Sequence, residues 1–292
     1  MKKIFSILAV ATLLMVGCEN NENIPVVEDG AMQIEVLHPS ATRATETAFE
    51  SGDKIGLYAT EYNGDIATPL QISGNWANNV AVAYNGTAWN PAKKIFWSEN
   101  KMDVYGYYPY MTPTSIDEHL WSVQLDQSTP ETADALSGYE ASDFLWAKAA
   151  GVAQVDEKVE LEFKHRCSKL VVKLVKGKDY SGVLPTASEL YIHSTVPTAT
   201  IDFTTGAVTK YLYGEMETIK AKRVDDGTFE AIIIPQRLET RRPFLEYIAN
   251  GVSYLYEGTF IFKAGKQHTL ELTIDTNPDQ IEVEVGGEVG GW

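Results

Sequence analysis

Cysteine is almost absent from this 292-residue chain, with only Cys18 and Cys167. Cys18 sits at the end of an N-terminal leader, which leaves Cys167 without an intrachain partner. Stability must therefore come from burial, and 44% hydrophobic residues suffice for that. Cys167 lies in an apolar strand pattern and reads as a small buried hydrophobe. Basic residues are also scarce: 24 Lys and Arg face 40 Asp and Glu, a formal net charge of -16. Phosphate backbones need basic patches, so nucleic acid is excluded as a partner; a self-repelling, soluble surface is what remains. No amphipathic helix longer than about three turns can be traced, and the best short candidate is Thr129–Ser137.

Catalytic signatures are missing as well. The histidines at 38, 119, 165, 193 and 268 have no metal-ligand spacing. There is no G-x-S-x-G elbow and no phosphate loop. The stretch beginning at Asp275 opens like a calcium loop but has Gln280 at its sixth place and Gly286 at its twelfth, so it fails as one. His165 and Cys167 are two apart on one strand and share a face, yet no third group is evident to orient them, and they read as structural. The expectation is a protein without catalysis, cofactor or metal site.

The N-terminus carries an export address. Lys2 and Lys3 precede an apolar run, Ile4 to Val16, that is too short to span a membrane. It ends in Met15-Val16-Gly17-Cys18, the pattern of a lipoprotein signal. Cleavage would make Cys18 the acylated N-terminus, and several acyl chains hold a protein on a membrane far better than one. Loss of the two lysines leaves 22 basic against 40 acidic residues, about -18. Residues 18–30 are polar and acidic and read as a flexible tether.

Beyond the tether the chain reads as β. Ile34 and Val36 alternate with Gln33 and Glu35 in a short first strand. Residues 39–46 form a small-residue exposed loop. Strands are then expected at Ile55–Ala59, Val80–Tyr84, Lys94–Trp97, Met102–Tyr110, Phe144–Ala147 and Val159–Phe163. The second half repeats the style, at Lys169–Val175, Leu190–Ser194, Ala199–Phe203, Phe229–Ile234, Phe244–Ala249, Ser253–Phe262 and His268–Asp275. Asn85-Gly86 and Asn250-Gly251 are hairpin turn signals. Strands spaced about 8–15 residues apart suit sandwiches or barrels.

Several of these pieces together resemble the fimbrillin family of Bacteroidetes lipoproteins, the Mfa-like group. They are Ala41-Thr42-Arg43-Ala44, then Phe49 to Tyr58 (FESGDKIGLY), Ile95-Phe96-Trp97, Val104 to Tyr110 (VYGYYPY), Ser142 to Ala147 (SDFLWA), Leu161 to His165 with Ser168-Lys169-Leu170, Ile234-Pro235-Gln236, and Ala264 to Leu270 (AGKQHTL). The resemblance implies an all-β chain of two transthyretin-like β-sandwich domains in tandem. The segments would be a signal peptide at 1–17, the tether at 18–30, an N-terminal domain at 31–160 and a C-terminal domain at 161–292. It implies a type V pilus subunit, lipidated at Cys18, carried to the outer membrane and cell surface, and cut by a protease after Arg43, before Ala44. That cut would release residues 31–38 as a strand and open a groove for a strand from another copy of the chain or a sister subunit. The tail at 280–292 is the candidate donor, since Ile281, Val283 and Val285 alternate with polar residues and Trp292 offers a terminal aromatic anchor; its four glycines weaken it as a strand. An edge strand of the chain's own second domain is the other reading of this tail. Arg43 and the absence of a third domain favour a stalk subunit. The density of Trp and Tyr between residues 76 and 110 keeps open a surface glycan-binding lipoprotein or a tip adhesin.

Overall fold

The computed structural model describes residues 30–39, 48–275 and 282–290, and within them regular structure is β apart from two short 3-10 turns. The first half contributes β1 (Gln33–Leu37), β2 (Lys54–Asn63), β3 (Ile66–Ala67), β4 (Ala77–Tyr84), β5 (Trp89–Pro91), β6 (Met102–Tyr108), β7 (His119–Ser122), β8 (Leu145–Val152), β9 (Lys158–Glu162) and β10 (Lys164–His165). One sheet runs in the order β10-β8-β6-β2-β4-β5, with β3 attached to β2. The facing sheet is only two strands wide, β1 paired parallel with β9.

Residue alternation in β2, β6 and β9 sets this arrangement. In β9, Val159 and Leu161 are fully buried while Lys158, Glu160 and Glu162 face water. They pack on Ile55, Leu57, Met102, Val104 and Tyr108, which form the core of the first sandwich. The intervening residues Tyr58, Tyr105 and Tyr107 point the other way, into a second core shared with the rest of the chain. All seven residues of β6 are consequently buried, because this sheet is covered on both faces. The dense aromatic segment is thus divided between two cores, with Tyr110 left more exposed at the end.

The second half contributes β11 (Ser168–Lys176), β12 (Ser188–Thr195), β13 (Thr198–Asp202), β14 (Ala207–Lys210), β15 (Glu217–Lys220), β16 (Lys222–Arg223), β17 (Thr228–Ile233), β18 (Gln236–Ala249), β19 (Val252–Phe262), β20 (Lys266–Ile274) and β21 (Glu282–Gly290). Its main sheets are β16-β17-β11-β20-β21 and β15-β12-β18-β19. β18 and β19 are joined at Asn250-Gly251, where φ is 52° and 77°. Two left-handed residues are what a two-residue hairpin turn of matching twist requires.

The halves interlock. β7 leaves the first half to pair with β13 in a sheet ordered β14-β13-β7. The Phe203 amide donates to the Ile116 carbonyl at 2.7 Å, and the Trp146 indole donates to the Phe203 carbonyl at 2.7 Å. The boundary expected between residues 160 and 161 falls inside β9, and β10 still pairs with β8, so first-half strands reach His165. Residues 129–137 form no helix: Pro130 and the surrounding Ser, Thr and Asp favour turns, and Thr132 and Ala135 close a tight bridge instead. The strand expected at Lys94–Trp97 is reduced to one bridge, Phe96 to Ala31.

Candidate functional site

The site is the seat of β1. Gln33 to Leu37 align with Lys158 to Glu162 in register, and the ladder is extended by the Phe163 amide donating to the Leu37 carbonyl at 3.0 Å. At the other end, the Met32 amide donates to Ile95 and the Trp97 amide to Gly30. The apolar alternation read from the sequence points inward: Met32 is buried, and Ile34 and Val36 pack half-buried on the first core. Outward, Glu35 forms an ion pair with Lys158, which also holds Glu160 at 2.8 Å. Those carboxylates, Glu160 foremost, push the Lys158 ammonium above its ordinary range. Full burial of an aliphatic side chain contributes about 1.5–3 kcal/mol, and ordering each residue costs about 1–2 kcal/mol. For so short a strand the two are comparable, so the backbone ladder decides whether β1 stays.

Phe49 closes the end of the seat. Its ring meets Trp89 at 5.0 Å, Tyr108 at 5.5 Å, Phe163 at 5.9 Å and His38 at 4.9 Å, all edge-on or nearly so. The Glu-Ser-Gly-Asp turn that follows holds it there. Asp53 accepts from the Glu50 amide at 2.7 Å and from the Tyr108 hydroxyl at 3.0 Å, while Gly52 takes the left-handed conformation. His38 lies 6.2 Å from His165 between ring centroids. Burial lowers the His38 pKa below its ordinary 6.5. His165 is held by Asp143 at 2.8 Å.

On the side away from β9, β1 has no strand partner among the described residues. Ile34, Glu35 and Val36 of β1 line a cleft of about 780 Å³. β5, Phe49, Tyr84 and Ile95 line it as well, with Lys94 and with Lys158 of β9. The sequence reading found β1 but missed this cleft. The one local signal is Trp89-Asn90-Pro91, since proline in a strand marks a sheet edge.

The tail candidate, β21, lies antiparallel on the outer edge of β20. Val283 sits opposite Leu272 and packs on the core. Val285, opposite buried Leu270, is still 69% exposed. A register break at Gly286 then shifts the pairing. Glu288 is hydrogen-bonded to Lys263 at 2.6 Å, which holds its carboxyl below the usual range. This is the edge-strand arrangement of the isolated chain. Cys18, Arg43, Ala44, Ile281 and Trp292 lie outside the described residues. Cys167 is completely buried, and desolvation pushes its thiol pKa well up. Among the described residues no cluster of His, Cys, Asp and Glu is suited to a metal ion.

Geometry of this kind defines an all-β sandwich protein whose first sandwich is completed by a short strand, β1, held by one parallel ladder. The sequence model of the family described as Fimbrillin-like matches residues 42–292, and the chain belongs to that family. It is 28% identical over 246 residues to a Bacteroides uniformis protein named as a fimbrium subunit, Fim1C, covering 80% of this chain and 76% of that one. A crystal structure described as a cell adhesion protein from Bacteroides uniformis superposes with a TM-score of 0.67 at 21% identity, covering 90% of this chain and 99% of that one. A second, described likewise and from Bacteroides ovatus, gives 0.65 at 19%, covering 89% and 98%. These two likenesses concern the fold.

Proposed function

We propose that this chain is a structural subunit, of the stalk, in a cell-surface pilus, and that it assembles by strand exchange. One observation carries the reading: β1 completes the first sandwich through a single parallel ladder, and its Ile34 and Val36, in register with Val159 and Leu161, pack on the first core. Removal of such a strand leaves an unpaired edge above an apolar groove, which an extended segment of another subunit can fill. In this reading Cys18 carries the lipid that holds the precursor on the outer membrane. Cutting after Arg43, before Ala44, then turns β1 into a separate peptide. Its local concentration, of millimolar order while tethered, falls away, and exchange becomes favourable.

The donor in this reading is the tail, residues 280–292, with Ile281, Val283, Val285 and Trp292 as its anchors. Its present place supports that role. It occupies an outer edge, buries little of Val285, and contains a register break. The second sandwich therefore keeps its other strands when the tail leaves. The test is a chain lacking residues 280–292 and cut normally at Arg43. It should fold as a monomer and form no polymer in electron micrographs. Fibres from the truncated, cut chain would place the donor elsewhere, and failure to fold would assign the tail to its own sandwich.

A further inference from the structure

β19 closes the sheet β15-β12-β18-β19, and among the described residues its outer side has no strand partner. It runs for 11 residues, Val252–Phe262, about 37 Å at the usual rise per residue. Proteins blunt such edges by keeping them short or by charge and proline. Other edges of this chain follow that rule. β5 has 3 residues and ends in Pro91, β14 and β15 have 4 each, and β21 carries Glu282, Glu284 and Glu288. β19 contains no Lys, Arg or Pro. Its single carboxylate, Glu257, already faces Arg241 of β18 at 3.5 Å. Leu255 and Ile261 stand on its outward face, 45% and 47% exposed. A long, apolar, unblunted edge is a template for another strand.

We propose that the occupant is β19 of a second copy, paired antiparallel about a two-fold axis at Gly258. The backbone limits the choice of register. Ala249 and Val252 flank the two-residue turn and form a hydrogen-bonded pair. Hydrogen-bonded and non-hydrogen-bonded pairs then alternate, so even-numbered residues of β19 turn their N–H and C=O groups to β18. The odd-numbered residues turn theirs outward. The register shifts in this ladder place their extra residues on β18, so the alternation continues to Phe262. Two such edges pair odd residue to odd residue.

Side chains select among the registers that remain. A centre at Glu257 sets two carboxylates opposite each other, which is destabilising. Centres at Tyr256 or Thr259 set Glu257 against Leu255 or Ile261. A centre at Gly258 sets Leu255 against Ile261 and Glu257 against Thr259, each pairing made twice by symmetry. Both exposed aliphatic residues are then covered. Gly258 also suits the axis, where a non-hydrogen-bonded pair brings two backbones to about 4.5 Å. Its missing side chain leaves room for its own Tyr256 ring, 2.7 Å from where a Cβ would stand.

A formal net charge of -16 on each copy opposes association, so pairing strengthens as salt screens the repulsion. In a pilus the edge recurs on every subunit, and contacts that are weak singly add up to lateral bundling of fibres. The bundling rests on the pilus reading; the pairing of two copies does not.

The experiment uses the full chain with Cys18→Ala, which leaves buried Cys167 as the only native thiol. Glu257→Cys and Thr259→Cys are made in separate chains and oxidised at high salt, singly and mixed. In the proposed register these positions face each other at about 5.5 Å between Cα atoms, within disulfide reach. The expected product is the mixed dimer, about tenfold in excess of either self-linked one. Leu255→Lys and Ile261→Glu should each weaken self-association about tenfold in sedimentation equilibrium, and the double variant should restore it, because the new charges then oppose each other. Self-linkage of the Glu257→Cys chain in excess overturns the register. Linkage no greater than that of Val183→Cys, an 87% exposed loop position, overturns the pairing. Neither result touches strand exchange, which is read by fibre formation. Cut chains with Leu255→Lys should give separate fibres, and fibres that still bundle overturn the lateral role.

Discussion

At the scale of single residues, two positions translate directly into measurements. Gly56 on β2 stands opposite Tyr107 on β6, and the Tyr107 ring occupies the space where a side chain would begin. A Cβ there would lie 2.2 Å from the ring. Tyr107 cannot step aside cheaply: it is buried, and its hydroxyl donates to the Met111 carbonyl at 2.7 Å. Gly56→Ala should therefore destabilise the chain by about 1–3 kcal/mol, the cost of overpacking a tight core. An unchanged denaturation midpoint would show that the ring moves freely. His38 gives a pH dependence. Burial lowers its pKa in the seated strand, with His165 adding to the effect and Asp143 and Asp53 opposing it. The released strand thus binds a proton more readily than the seated one. The contribution is complete above the ordinary value of 6.5 and is lost as pH falls through that value towards the lowered one. The protection factors of β1 amides, rates taken relative to the intrinsic exchange at each pH, should fall on acidification across this window, and His38→Phe should flatten that profile. Protection factors that do not change with pH in the unmodified chain would remove His38 from the hold on β1.

At the scale of elements, what could be read in advance was whatever carries its own alternation. β1, β9 and β19 are visible because inward and outward residues take turns, and the β18–β19 hairpin because Asn250-Gly251 can supply two left-handed residues. β5 and β7 were not visible. Each is three or four residues long and is made by its partner, β4 in one case and β13 in the other, so no local pattern exists to find. The same distinction holds for the site. The strand β1 is a sequence feature, whereas the cleft beside it is created by Phe49, Trp89 and Ile95 arriving from three separate segments. The tail shows the limit from the other side. Its alternation identifies a strand, but alternation alone does not say whether the partner is β20 of the same chain or β9 of another. Both edges offer backbone hydrogen bonds, and in the proposed function the choice between them is made at assembly.

At the scale of the whole molecule, the covered sheet is the central fact. Because β2 and β6 are buried on both faces, the first half cannot unfold without uncovering the core of the second. Phe203 marks the join: it belongs to the second half, yet its ring lies 4.7 Å from Tyr107 and 6.0 Å from Phe144. The Trp146 ring from β8 rests on Gly206, where a Cβ would come within 2.5 Å of it, so this approach requires glycine. A pilus subunit in the proposed role must pass tension between the groove in its first sandwich and the tail on its second. A shared core does this, whereas a flexible linker between independent domains would let each half yield separately. The expected consequence is a single cooperative transition despite two sandwiches. Phe203→Ala should cost about 3–5 kcal/mol, as removal of a buried aromatic ring does. It should also lower the protection of β2 and β18 amides together in native-state hydrogen exchange. If β18 loses protection while β2 keeps its own, the halves are independent and tension along such a pilus must be carried by another route.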